Sequence, residues 1–173
     1  HLIQWRYAPQ AVREAQALLA GHALQTLAFD VLTHEQLSAQ LSAPAQVELI
    51  RTLARASGIV GMAGGQAIDC HHVGQALTGD TMQTMHRLKT GALLHASVMM
   101  GAMCGQNPLS PSQTAALSRF AEDLGLLFQV VDDILDASQD TATLGITAGK
   151  DASANKPTYV QALGIDGARE HAQ

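Results

Sequence analysis

Residues 120–136 read as a helix with two opposed characters, and that segment constrains the fold more than any other. At 100° per residue, Gln129, Asp132, Asp133, Asp136 and Asp140 fall within about 100° of one another. Phe120, Leu124, Leu127, Phe128, Val131 and Leu135 fall on the opposite side. Three or four carboxylates therefore line one face of an otherwise apolar helix. Like charges at these spacings repel by roughly a few tenths of a kcal/mol per exposed pair, and by more when partly buried. A cation relieves such a cluster. Magnesium suits it, because it takes one or two carboxylates, keeps several waters and bridges to phosphates. A solvated acidic face has the same pattern.

The rest of the chain is helical in period. Segments of that kind run over residues 9–32, 44–69, 80–104 and 110–137, with a last helix starting near Thr158. In the second, Ala54, Ser57 or Gly58, Gly61 and Gly65 form a stripe of small residues, which predicts close helix packing. In the third, Met85, Leu88, Ala92, Ala96, Met99 and Met103 keep to one face. The fourth has a clear start, with Ser110 as N-cap, Pro111 at the first helical position and Gln113 three residues after the cap. Residues 138–157, rich in Asp, Thr, Gly, Ala and Lys, read as a loop over the site. No segment has strand period and no linker divides the chain, so an all-α fold in a single domain over residues 1–173 is expected.

Composition agrees. Of 173 residues, 47% are apolar, 14% charged and 3% aromatic, which favours a large buried helical interior over disorder or sheet. The net charge of -5 and the lack of any basic run argue against a nucleic-acid partner. Cys70 and Cys104 make no C-x-x-C pair, consistent with a reducing, cytoplasmic setting. The longest apolar stretch, residues 56–68 between Arg55 and Asp69, is too short for a membrane span.

A phosphate site needs cations as well as metal. Lys89-Thr90-Gly91 stands alone among apolar residues of the third helix. It reads either as a snorkelling surface lysine or as a lysine and hydroxyl for phosphate oxygens, with the glycine clearing space. Lys150 and Lys156, in the loop after the carboxylate helix, could fold over the same site or face solvent.

Taken together, several stretches resemble the trans-polyprenyl diphosphate synthases, near the bacterial farnesyl and geranylgeranyl diphosphate synthases. They are Leu19 to Phe29, Gly64-Gly65-Gln66-Ala67-Ile68-Asp69, His86 to Leu94, Gly125 to Asp136, Asp140 to Gly145, Gly149-Lys150-Asp151 and Lys156-Pro157-Thr158-Tyr159. The resemblance implies an isoprenoid-synthase-type antiparallel helical bundle around a deep cavity, in a homodimer. It implies magnesium-dependent condensation of isopentenyl diphosphate with an allylic diphosphate. By position, Asp132, Asp133 and Asp136 match the family's second aspartate-rich, metal-holding motif. Lys89, Thr90 and Gln129 match residues that contact the allylic diphosphate or stabilise the developing cation. Lys156 matches a loop lysine near the same phosphates, and Gln66 and Asp69 match a cavity-facing pair.

The sequence departs from the family pattern in three places. Residues 1–13 hold neither the first aspartate-rich motif nor the Gly-Gly-Lys-Arg element that grips isopentenyl diphosphate, so the bundle is expected to be incomplete at its N-terminal side. Ile146 stands where a diphosphate-binding lysine belongs, and His22 where the family carries Asp. A noncatalytic or truncated homologue serving a complete partner subunit is the alternative function. The resemblance implies that product chain length is set largely by residues just before the first aspartate motif. A terpene cyclase would carry an Asn/Ser/Glu-type second motif instead of Asp132-Asp133-x-x-Asp136. Zinc at Cys70, His71, His72 and Cys104, with His86 and His95 nearby in sequence, lacks suitable ligand spacing.

Overall fold

A computed structural model describes residues 9–72, 79–105, 107–138 and 158–172. Every regular element among them is helical, as expected. In chain order they are α1 (Gln10–Thr33), α2 (Glu35–Ser38), α3 (Ala43–Ser57), α4 (Met62–His71), α5 (Gly79–His86), a π-helical turn (Arg87–Gly91), α6 (Ala92–Met103), α7 (Pro111–Ser138) and α8 (Tyr159–His171). Among the described residues, no helix is long and apolar enough to cross a membrane.

The chain forms two compact units, His1–Ile50 and Arg51–Gln173. In the first, α1 stops because His34 turns extended (φ -64°, ψ 144°) and caps α2, its ring accepting from the Gln36 amide at 3.3 Å. The Gln46 side-chain amide, on α3, donates to the Leu32 carbonyl at 2.7 Å and to Ser38 Oγ at 2.8 Å, which closes the corner. No residue of α1 is buried. Its apolar residues run round the helix, so no single face can be hidden by one neighbour. His22 lies exposed on it.

The second unit is built round α7. Helices α6 and α8 pack on it, and α4, α5, α6 and α7 all contact the π-helical turn. Its buried apolar residues are small or flexible: Ala56, Met82, Met85, Ala96, Ala121, Val130 and Ala168. Alanines at these contacts let backbones come close, and methionines fill what remains.

Local signals set several boundaries. At the start of α7, Ser110 Oγ accepts from the Gln113 amide at 3.3 Å and Gln113 Oε1 accepts from the Ser110 amide at 2.9 Å. That reciprocal pair is the expected capping box. At α8, Thr158 Oγ1 accepts from the Gln161 amide at 3.1 Å.

Two boundaries differ from expectation. The helix expected over residues 44–69 is two helices, α3 and α4, because the chain breaks at Gly58–Gly61. Gly61 takes φ -141°, ψ -132°, outside the helical region. A Cβ on Gly61 would sit 2.1 Å from the Ala56 carbonyl oxygen, and one on Gly64 1.9 Å from that of Ile59. Part of the small-residue stripe therefore serves a tight turn instead of a helix contact. The helix expected over residues 80–104 is also interrupted, at Arg87–Gly91, where the hydrogen-bond ladder widens into a π turn. Such turns often sit at functional sites, and this one carries Lys89 and Thr90.

Candidate functional site

Close backbone approach builds the site. A Cβ on Gly65 of α4 would lie 2.2 Å from the Lys89 amide nitrogen and 2.6 Å from its Cα. Only glycine lets α4 lie flat against the π turn there. On the other side, a Cβ on Gly125 of α7 would meet Gly91 Cα at 3.1 Å. The turn is thus pressed between two helices at two glycines.

Each helix then adds polar side chains at helical spacing from its glycine. On α4, Asp69 follows Gly65 by one turn and accepts from Lys89 Nζ at 2.6 Å. Asp69 is nearly covered (10% side-chain exposure), whereas Lys89 keeps 34%, so the pair sits at a mouth with the carboxylate behind the ammonium. On α7, Gln129, Asp132, Asp133 and Asp136 follow Gly125 at four, seven, eight and eleven residues, on the side that meets the π turn.

Within that row the side chains divide. Gln129 and Asp133 are buried, and Asp133 is only 2% exposed. Gln129 Nε2 donates to Asp133 Oδ1 at 2.8 Å, and the Tyr159 backbone amide donates to Asp133 Oδ2 at 2.7 Å. The second bond places a carboxylate at the N-terminus of α8, where the helix dipole and an unsatisfied N–H both favour it. A carboxylate only accepts, so Gln129 must present its NH₂ to Asp133 and turn its carbonyl oxygen away. Asp132 is exposed and Asp136 partly buried, one helical turn apart. Burial, and after it the Asp133 charge, raise the pKa of the Tyr159 phenol. The Tyr159 ring lies 6.4 Å from that of His86.

The other candidates spread out. Thr90 is partly buried in the π turn. Gln66 is exposed on α4 and donates to Cys70 Sγ at 3.2 Å. Lys150 and Lys156 lie outside the described residues, as do Asp140 and Ile146. The residues weighed for zinc go separate ways. His72 Nδ1 is 2.8 Å from the Ile68 carbonyl oxygen, and His95 Nε2 is 2.8 Å from Ser118 Oγ on α7. Asp69 is the residue the sequence under-reads. Its partner is twenty positions away, and only a carboxylate inside a run of small residues marks it.

A helical protein with an ammonium, an oriented amide and a row of carboxylates around one helix junction has the makings of an anion site, although among the described residues no three His, Cys, Asp or Glu side chains converge as a metal centre. The comparisons give the lineage: the chain belongs to the polyprenyl synthetase family, which it matches over residues 6–173. It is 47% identical over 163 residues to the "Probable farnesyl diphosphate synthase" of Sinorhizobium fredii, covering 92% of this chain and 47% of that one. It is 44% identical over 160 residues to the farnesyl diphosphate synthase of Escherichia coli, covering 92% and 53%. Among solved structures it resembles a Helicobacter pylori geranyltransferase in complex with magnesium and isoprenyl diphosphate. That match has 37% identity and a TM-score of 0.79, and covers 93% of this chain and 51% of that one. The chain spans about half the length of these curated relatives.

Proposed function

We propose that this chain forms the allylic-diphosphate half of a trans-prenyltransferase of the farnesyl or geranylgeranyl diphosphate synthase type. The observation that carries the reading is the row Gly125, Gln129, Asp132, Asp133, Asp136 on the side of α7 that meets the Lys89-bearing π turn. The single family match across residues 6–173 supports treating both compact units as parts of one domain.

In this reading Lys89 and Thr90 hold diphosphate oxygens, and Lys150, Lys156 and Gln66 bind around them. Gln129, its amide nitrogen fixed on Asp133, turns its carbonyl oxygen toward the carbon that becomes electron-poor as the allylic bond breaks. The carboxylates present a donor set that fits magnesium: hard oxygens, with Asp132 and Asp136 one turn apart on one helix. Asp132 and Asp136 would hold the ion, while Asp133, which accepts two protein hydrogen bonds, would keep Gln129 and the start of α8 in place beside them. Magnesium bound there supplies Lewis-acid pull on the leaving diphosphate. The double bond of isopentenyl diphosphate then attacks the allylic carbon, and a proton is lost. The exposed thiols of Cys70 and Cys104 support a reducing, cytoplasmic setting.

The test is product formation from isopentenyl diphosphate and an allylic diphosphate with magnesium, for the wild type and Asp132→Ala. The variant should lose about a hundredfold or more in rate, since a group holding the metal is removed. Turnover close to wild type in the variant would sink the assignment. If the wild type forms product only after a complete homologous synthase is added, and Asp132→Ala changes nothing, the noncatalytic partner reading replaces it.

A further inference from the structure

Helix α4 makes two contacts with a single residue, one turn apart. Gly65 admits the Lys89 backbone, and Asp69 takes the Lys89 ammonium at 2.6 Å. The backbone and the tip of a flexible four-carbon side chain are thus fixed by one rigid element. We propose that Asp69 is a positioning residue: it holds the Lys89 ammonium at the point where charge accumulates on the departing diphosphate, and it does so at the expense of ground-state affinity. The inference rests on Lys89 being a diphosphate contact, as argued above.

The two effects have opposite signs. A carboxylate beside the ammonium cancels part of its field, which weakens attraction for a bound diphosphate before reaction. The same carboxylate restricts where the ammonium can go. A free lysine ammonium is a mobile point charge with three donors. Held by Asp69, it keeps its other donors in a fixed direction, and preorganised donors matter most where charge develops in the transition state. Asp69 is 8% exposed overall, so water competes poorly for its oxygens.

A residue that merely supports the fold would, on substitution, weaken binding and turnover together. The positioning role predicts that they separate. Asp69→Asn removes the charge and retains an acceptor of similar shape. It should bind an allylic diphosphate several-fold more tightly, with kcat down about tenfold or more. Asp69→Glu keeps the charge and shifts it by one methylene, so Kd should stay within about twofold while kcat still falls. In a Lys89→Ala background, the part of the Asp69→Asn effect that runs through Lys89 should disappear, so the gain in affinity and the fall in kcat should both be several-fold smaller than in the wild-type background.

The experiment measures Kd for an allylic diphosphate by calorimetry and kcat by product formation, with magnesium, for the wild type, the three single variants and the Asp69→Asn/Lys89→Ala pair. Thermal unfolding of each confirms the fold. The proposal is overturned if Asp69→Asn weakens binding and slows turnover in parallel, or if kcat is unchanged in both Asp69→Asn and Asp69→Glu. A Lys89→Ala protein that binds diphosphate like the wild type would instead remove the underlying assignment of Lys89.

Discussion

Helices α1 and α7 are both long and both rich in leucine, yet only α7 buries residues, and two of those are polar. Along α1 nothing is buried, and Leu18, Leu19 and Leu24 are each more than 60% exposed. Along α7, Phe120 and Phe128 are more than half exposed, while Gln129 and Asp133 are covered. Side-chain polarity alone would have placed these residues the other way round. The difference lies in what each helix meets. On α7, Gly125 admits the π turn and the N-terminus of α8 supplies a donor, so a carboxylate inside has partners for both oxygens. A buried polar group is tolerated once it is hydrogen-bonded. The polar residues buried on α7 are therefore those whose hydrogen bonds are met inside the fold.

Asp133→Ala should strike the contrast hardest. It leaves the Gln129 amide and the Tyr159 N–H as buried donors without that acceptor, at about 1–3 kcal/mol for each group left unsatisfied. Equilibrium denaturation should show a loss of about 3 kcal/mol, and a loss under about 0.5 kcal/mol would mean that Asp133 does not anchor α8. Gly65→Ala comes next. Its methyl would collide with the Lys89 backbone, so α4 and the π turn must part, at about 2 kcal/mol. Wild-type stability in that variant would show that the close approach is dispensable.

Leu24→Ser sharpens the comparison from the other side. At 66% exposure it should shift the unfolding free energy of the monomeric chain by less than about 0.5 kcal/mol. A larger loss would show that Leu24 is packed in solution. The smallest effect belongs to Tyr159→Phe. The phenol pKa is raised in the fold, so the folded state holds its proton more tightly than the unfolded chain does. Its contribution is complete below the unfolded phenol pKa, near 10, and fades as pH climbs from there through the folded value. Wild type should lose stability over that alkaline range more steeply than Tyr159→Phe. Identical curves would show that the phenol is not perturbed.

What could be read from the sequence was local or carried by family resemblance. The capping box joins Ser110 and Gln113, three positions apart, and the start at Thr158 depends on its own hydroxyl, so neither needs tertiary knowledge. The carboxylate row follows from helical period alone. The π turn left no trace in composition, because the widened ladder uses ordinary residues. The break between α3 and α4 was hidden because Gly61 and Gly64 serve equally as small packing residues and as turn formers. The pairings that define the site, Lys89 with Asp69 and Asp133 with Tyr159, join positions 20 and 26 residues apart. Nothing in the pattern between them states which partner is chosen.

Binding of an allylic diphosphate with magnesium at the junction of α4, the π turn and α7 is what we propose for this chain. Its most direct measurement is calorimetric titration with an unreactive allylic diphosphate analogue, with and without magnesium, for the wild type, Lys89→Ala and Asp132→Ala. The account predicts binding that requires magnesium in the wild type and falls by about tenfold or more in each variant, as expected when a charge-assisted contact is removed. Equal affinity in all three proteins, or binding indifferent to magnesium, would contradict it.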